Sequence, residues 1–297
     1  VTVGRSDKVL LPSMTFTATA EVVRYLGADP IFLDVDYGST QLTEDIVERG
    51  LRANPDTKAV IVVDFAGQPA SLLVELCNKY GVKLIADSAH AFPARLGNQM
   101  VGTLADATCF SFYANKILTT GEGGMILTDD EDLYHGLREL RDHGMSRHRR
   151  YAHVALGFNY RMTDLQAALG LSQLERLEHF IERRNELAKR YDETLTEIPI
   201  RLQKVPANVR SARHLYVIRV FAEQHRGMLE ALYKAGIGVN RHYLPVHLQP
   251  YYRNLGFSAG QFPESEAHGC EAISLPLYPA LNYEQQDDII NSLKQLI

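Results

Sequence analysis

Short β-rich runs recur along the first part of the chain: Val9 to Leu11, Ile31 to Leu33, Val60 to Val63, Leu84 to Ala86, Ala107 to Phe110 and Met125 to Thr128. Stretches of helical character separate them. Strands alternating with helices predict an α/β fold around one sheet in which most pairs are parallel. The segment from Pro69 to Tyr80 reads as a crossover helix, with proline near its first turn and Gly81 supplying a left-handed stop.

From Thr163 the period changes. Leu165, Leu169, Leu174, Leu177, Ile181 and Leu187 recur close to helical spacing and predict one long amphipathic helix reaching about Tyr191. Thr163, with Gln166 three residues on, fits a capping box in which the two side chains satisfy free amides at the helix start. Beyond it, Pro199 to Arg213 reads as loop, His214 to Phe221 as strand, Met228 to Ala235 as helix and Tyr283 to Leu296 as a final helix. The change of regime places a domain boundary near residue 175, with a large domain over 1–175 and a smaller C-terminal one over 176–297. Nothing in the chain repeats with a period of about 20 to 50 residues, which argues against a solenoid.

Composition narrows the function classes. A length of 297 residues suits two domains, each able to bury a core without staples. The 31 basic and 36 acidic residues leave a net charge of −5, so no bulk attraction draws the chain to nucleic acid or anionic lipid. Neither is expected as a partner, and a phosphate-bearing ligand has to be held locally. Cys77, Cys109 and Cys270 are odd in number and scattered, without CxxC spacing, which fits a reduced cytoplasm better than a disulfide framework or a zinc ribbon. Apolar stretches such as Val60 to Val63 fall far short of the roughly 20 residues a membrane helix needs. The opening Val1-Thr2-Val3-Gly4 carries neither a signal-peptide pattern nor an initiator methionine, so the chain is expected to begin inside a longer gene product.

Candidate chemistry falls just after predicted strands: Phe16, Asp87 with His90, and Ser111 with Lys116. In open α/β sheets ligands bind outside the carboxyl ends of strands, where the loops converge. An amine for a Schiff base, a carboxylate for a ring nitrogen, a flat ring to stack and hydroxyls for a phosphate together fit pyridoxal phosphate (PLP). Each residue alone has a plainer reading. Loop lysines are usually solvated, Asp87 can cap a following helix, His90 can be a satisfied loop histidine and Phe16 can be core. Asp87, however, ends an apolar run at the sheet edge, where an unpaired charge is costly, and so calls for a cationic partner. The turn Gly121-Glu122-Gly123-Gly124 matches neither GxGxxG nor a P-loop. Arg147-His148-Arg149-Arg150 suits either a diphosphate or solvent. His242 and His247, five residues apart without nearby Cys, Asp or Glu, read as a substrate-lining loop including Tyr243 rather than a metal site.

Read together and in order, Pro12-Ser13-Met14-Thr15-Phe16, Gly67-Gln68-Pro69, Ala86-Asp87-Ser88-Ala89-His90, Ser111-Phe112-Tyr113 to Lys116, Gly121 to Gly124 and Gly157-Phe158-Asn159-Tyr160-Arg161 resemble the DegT/DnrJ/StrS sugar aminotransferases. The resemblance implies the aspartate aminotransferase fold, type I. It makes Lys116 the Schiff-base lysine, Asp87 the partner of the pyridine nitrogen, His90 a neighbour of the ring hydroxyl, Phe16 the stacking ring and Ser111 a phosphate ligand. It also implies homodimers with shared sites, in which Asn159 reaches the opposite subunit with Arg161 beside it. The segments Gly236 to Asn240, His242-Tyr243, His247 to Tyr252 and Ser274 to Leu277 are similar to UDP-4-amino-4,6-dideoxy-N-acetyl-β-L-altrosamine transaminases of pseudaminic acid synthesis. That likeness implies glutamate as amino donor and the C4 ketone of a UDP-linked 6-deoxy-4-keto sugar as acceptor, with Arg161, His242 and Tyr243 lining the substrate. Family members carry, before these motifs, a Gly-Thr/Ser-Ala turn at a helix N-terminus that cradles the cofactor phosphate, and this sequence begins after it. That departure motivates an alternative: a non-catalytic PLP-fold regulator or partner subunit.

Overall fold

All six apolar runs of the N-terminal part become strands of one sheet. The computed structural model describes residues 3–70 and 72–297. The strands are β1 (Lys8–Pro12), β2 (Asp29–Leu33), β3 (Thr57–Val63), β4 (Lys83–Asp87), β5 (Ala107–Ser111) and β6 (Gly124–Leu127). Their spatial order is β2-β1-β3-β4-β5-β6, with four parallel pairs and one antiparallel pair, β5 with β6. Helices α1 (Ala18–Tyr25), α2 (Glu44–Ala53) and α3 (Val74–Tyr80) make the crossovers.

Strands β1 and β3 are apolar on both sides because both sides are covered. On one face Leu10, Val60, Val62 and Leu84 pack with Val47 and Leu51 of α2 and Leu76 and Cys77 of α3. On the other, Val9, Leu11, Ala59 and Ile61 pack with Ala20 and Val23 of α1 and with Val246 and Tyr252 from the C-terminal part. After the sheet come α4 (Glu131–Arg141), α5 (Asp164–Glu175) and α6 (Leu177–Thr194). A smaller C-terminal domain follows, with an antiparallel sheet of β7 (Arg201–Leu202), β8 (Tyr216–Arg219) and β9 (Ala272–Leu275) in the order β9-β8-β7. Its core joins Leu187 and Tyr191 of α6 to Ile218, Ile273, Met228 and Leu232 of α7 (Ala222–Lys234), and Ile289 and Leu293 of the last helix, Tyr283–Leu296.

Several expectations need correction. The crossover helix starts at Val74, not Pro69. The backbone before it is committed elsewhere: the Ala70 N–H donates to the Asp64 carboxylate, and the Gln41 side-chain amide donates to the Phe65 and Gln68 carbonyls. The long helix from Thr163 is two helices, interrupted at Arg176 (φ −103°, ψ 0°), although its capping box is present as expected. Only α6 behaves amphipathically. No residue of α5 is buried, and Leu165 is 85% exposed. The loop from Pro199 to Arg213 contains the two-residue strands Arg201–Leu202 and Val209–Arg210, the latter pairing with Arg95–Leu96. The strand expected from His214 to Phe221 is confined to Tyr216–Arg219, and α7 starts earlier than Met228.

Gly67 shows how the two domains are joined. Its φ is +95°, and an added Cβ would lie 2.6 Å from the Arg213 backbone nitrogen, while its carbonyl accepts from Ala212 N–H and the Ser211 hydroxyl. Gly81 has φ +67° but open space around it, as a helix C-cap requires. Gly81→Ala should therefore cost only the left-handed penalty, ~1–2 kcal/mol. Gly67→Ala should cost visibly more, because the clash adds to that penalty. Denaturant midpoints of the two variants check this, and equal losses would contradict it.

Candidate active site

The carboxyl ends of β3, β4 and β5 open to one side of the sheet, and the sequence places a charged or polar side chain at each. Asp87 is the last residue of β4. Its Oδ2 accepts from the Thr19 hydroxyl at 2.7 Å, and Thr19 is itself linked to Thr15 at 2.9 Å. Its Oδ1 accepts from Ala89 N–H at 3.2 Å, and turns rather than a helix follow, so the helix-cap reading of Asp87 does not hold. A hydrogen-bonded carboxylate of this kind is fixed in direction while keeping lone pairs for another partner.

Lys116 stands on the loop after β5. The loop is pinned by Phe112, Ile117 and Leu118 in a core with Phe110, Leu177 and Ile181, and by the bonds Phe112 N–H to Gly123 O and Thr120 N–H to Phe112 O. Lys116 is consequently half-buried rather than solvated. Burial lowers its pKa below that of an ordinary lysine, and the Asp87 charge partly opposes this. Asp87 thus acts on the amine through its charge, while its own hydrogen bonds go to Thr19 and Ala89.

Histidines surround the amine. His90 is buried, and both its ring nitrogens have partners: Nδ1 lies 3.4 Å from the Ala66 N–H and Nε2 lies 3.2 Å from the Tyr243 hydroxyl. Burial and then the Lys116 charge hold its pKa well below the usual histidine value. His242 is bonded to Ser274 Oγ at 2.8 Å and pushed down to about 4 by burial and by Lys116. Tyr243 is pushed up by burial and by Asp87, and its ring lies 5.8 Å from Phe16. Phe16 is 58% exposed, so it is not a core residue and its face is available. Ser111 ends β5, with its Oγ accepting from Tyr113 N–H at 3.3 Å.

The C-terminal domain delivers His242 and Tyr243 through polar contacts with the sheet. Val246 N–H donates to Ser13 O at 2.8 Å, and Asp34 accepts from the Glu264 and Ser265 amides at 2.9 and 2.7 Å. His268 Nε2 bonds the His242 carbonyl at 2.9 Å. His247 turns away from the amine, to Ser13 and Glu266.

Asn159 and Arg161 are not drawn into this group. Both are exposed; Arg161 bonds Asn159 Oδ1 at 3.1 Å, pairs with Asp142 at 3.0 Å and meets His143 at 3.3 Å. The basic run Arg147–Arg150 lies on an exposed turn.

Three members of the site went unread in the sequence. Thr19 orients Asp87 from a neighbouring helix and gives no signal of its own. His214 packs on His90 with ring centroids 4.4 Å apart, its Nδ1 lacking a hydrogen-bond partner. Asp64 is buried beside Asp87 and pushed up to about 6, chiefly by burial. It follows the run Val60–Val63 as Asp87 follows Leu84–Ala86, and that repeated pattern could have found it.

In cofactor-free protein, acylation of Lys116 should show a pH midpoint below that of exposed lysines. Asp87→Asn should lower it further, because the charge that favours the ammonium is removed. Peptide-resolved labelling across pH measures both, and a Lys116 midpoint equal to that of surface lysines would contradict the burial argument.

Comparisons with known proteins concern nearly the whole chain. The model of the DegT/DnrJ/EryC1/StrS aminotransferase family matches residues 1–294. The Bacillus subtilis spore coat polysaccharide biosynthesis protein SpsC is 37% identical, over 99% of this chain and 80% of its own length. Among solved structures, a Streptococcus pneumoniae protein described as a sugar aminotransferase, in its PLP form, superposes with a TM-score of 0.93 at 33% identity, covering 99% of this chain and 81% of that one. Helicobacter pylori PseC, an aminotransferase involved in pseudoaminic acid biosynthesis, gives 0.93 at 30% identity, covering 100% and 81%.

Proposed function

The chain belongs to the DegT/DnrJ/EryC1/StrS aminotransferase family, and we propose that it moves an amino group from glutamate to the C4 ketone of a UDP-linked 6-deoxy-4-keto-hexose, as in pseudaminic acid synthesis. Its architecture is the type I fold of PLP-dependent aminotransferases, with a large, mostly parallel sheet and a smaller C-terminal domain. The observation that carries the reading is Lys116: a half-buried amine with a lowered pKa, acted on by Asp87. The choice of sugar rests on the C-terminal motifs and on the likeness to PseC, while SpsC is named for spore coat polysaccharide biosynthesis.

The side chains present fit PLP. Lys116 offers an amine, Asp87 an oriented carboxylate, Phe16 an uncovered ring, Ser111 a hydroxyl and His90 a neutral imidazole. When bound, PLP supplies a carbonyl for the lysine and an electron sink for the reacting carbon. Lys116 Nζ, favoured in its neutral form by burial, would hold the cofactor through its amine and would take up and return the proton at Nζ during transfer. Asp87 would hold the ring nitrogen and favour its protonated form through its charge, with Thr19 keeping the carboxylate aimed. His90 and His242 stay uncharged and do not compete with Lys116 for the counter-charge. His242, Tyr243 and Arg161 are assigned to the substrate.

Asn159 and Arg161 require a second copy to meet a site, and the surface supports one. Leu165, Leu169, Leu171 and Leu174 of α5 and Met125, Ile126 and Leu127 of β6 are all exposed, and apolar side chains grouped in this way mark a surface that another element or chain covers. The two elements adjoin: Gln166 donates to Glu122 O at 2.9 Å in the turn that leads from the Lys116 loop into β6. In this reading a two-fold pair buries this face and brings each chain's 157–161 segment to its partner's site.

Mass spectrometry of a mixture of protein, PLP, glutamate and the UDP-keto-sugar should show the 4-amino product; absence of product with PLP bound would overturn the substrate assignment. Asp87→Asn should keep the fold yet lose about 10- to 100-fold in turnover, the worth of a charge-assisted bond. Near-normal turnover would contradict the role of Asp87. Neither Asn159→Ala nor Lys116→Ala alone should be active, but subunit exchange between them should restore up to about half the activity per heterodimer, since one site carries both lesions and the other neither. Inactivity despite proven exchange would refute the shared site.

A further inference from the structure

Asp64 is the first residue after β3, and its N–H donates to the Asp87 carbonyl at 2.9 Å. Its side chain is only 4% exposed. A carboxylate so placed is costly unless its lone pairs are taken, and an apolar residue fills such a space without that cost. Two donors take them here. Ala70 N–H donates to Oδ1 at 2.7 Å, and the Ser88 hydroxyl donates to Oδ2. The first bond closes the turn over residues 64–70. The second fastens that turn to the segment 87–90, which carries Asp87 and His90.

The turn has a specific product. Ala66 sits at φ +57°, a left-handed conformation that costs ~1–2 kcal/mol for a residue with a Cβ, and so needs to be held. In that conformation its N–H points at His90 Nδ1, 3.4 Å away. An amide can only donate, so Nδ1 is the acceptor and the imidazole proton resides on Nε2, directed to the Tyr243 hydroxyl at 3.2 Å. The tautomer of a histidine beside Lys116 is thus set by a backbone group whose position depends on a carboxylate behind the site.

We propose that Asp64 is a positioning residue: by clamping the 64–70 turn to Ser88 it fixes His90 as the Nε2–H tautomer and holds it beside Asp87 and Lys116. The consequence for turnover rests on the PLP-site reading above; the tautomer does not. Ala70 N–H and Ser88 O–H both need acceptors. Asparagine can serve the first only by turning its NH2 toward Ser88, whose own proton then loses its acceptor. Ser88→Ala instead leaves the Ala70 bond intact and releases only the fastening, so it tests the clamp should Asp64→Asn fold poorly.

Ring-nitrogen NMR of 15N-histidine-labelled, cofactor-free protein, with the His90 signals assigned from a His90→Gln sample, reads the tautomer directly. The wild type should show His90 protonated on Nε2 alone, and both Asp64→Asn and Ser88→Ala should show a mixture of tautomers. In the PLP-loaded enzyme the same variants should lose about tenfold in kcat, with KM for the amino donor changed less than about twofold, the pattern of misplacement rather than lost binding. A single unchanged tautomer in a folded variant would overturn the proposal even if activity fell. A tautomer mixture in protein that also fails the product assay as wild type would leave the clamp standing and sink the functional reading instead.

Discussion

Drawing the Lys116 amine out of water beside the Asp87 carboxylate is the constraint to which the rest of the site answers. Burial alone pushes the amine toward neutrality, and an unopposed buried ammonium is expensive. Asp87 returns part of the stabilisation, so the net displacement is downward, with the direction set by burial. Such a balance requires both groups to be held by separate rigid elements. Asp87 comes from a central strand with its carboxyl tied to Thr19, and Lys116 from a loop whose apolar neighbours are driven into a core with α6. The surrounding histidines preserve the balance because burial keeps them uncharged, so none adds a positive charge next to the amine.

The parallel sheet makes this arrangement possible, since consecutive parallel strands deliver their carboxyl ends to the same edge. The smaller domain packs Val246 and Tyr252 against one apolar face of the sheet and adds directional contacts at that edge. Asp34 accepts two amides of the 264–265 turn, Tyr243 meets His90, and Gly67 allows the backbones of residues 67 and 212–214 to touch. Polar joints of this kind fix register, and the register is what brings His242 and Tyr243 to Lys116.

Much of this was legible in the sequence, for a physical reason. The central strands β1 and β3 were readable because both their faces are covered and their runs are therefore continuously apolar, whereas β6 keeps an apolar run although it is exposed. Asp87 was readable because a charge ending such a run has nowhere neutral to go. The start of α5 was readable from a local pair, Thr163 and Gln166. What escaped depends on partners distant in sequence. Pro69 fails to start a helix because Asp64 and Gln41 claim the backbone there. Thr19 and His214 gain their roles only by docking. The leucines of α5 have the spacing of a buried stripe, yet the chain places no core beneath them, because periodicity reports that a face is apolar and not what covers it.

The account turns on the covalent role of Lys116, and one measurement reaches it directly. The protein is loaded with PLP, reduced with borohydride, digested and mapped by mass spectrometry. A phosphopyridoxyl group on Lys116, absent from the same digest of Lys116→Ala, is the predicted result. Label on any other lysine, or PLP bound tightly with no lysine labelled, would contradict the site as built here.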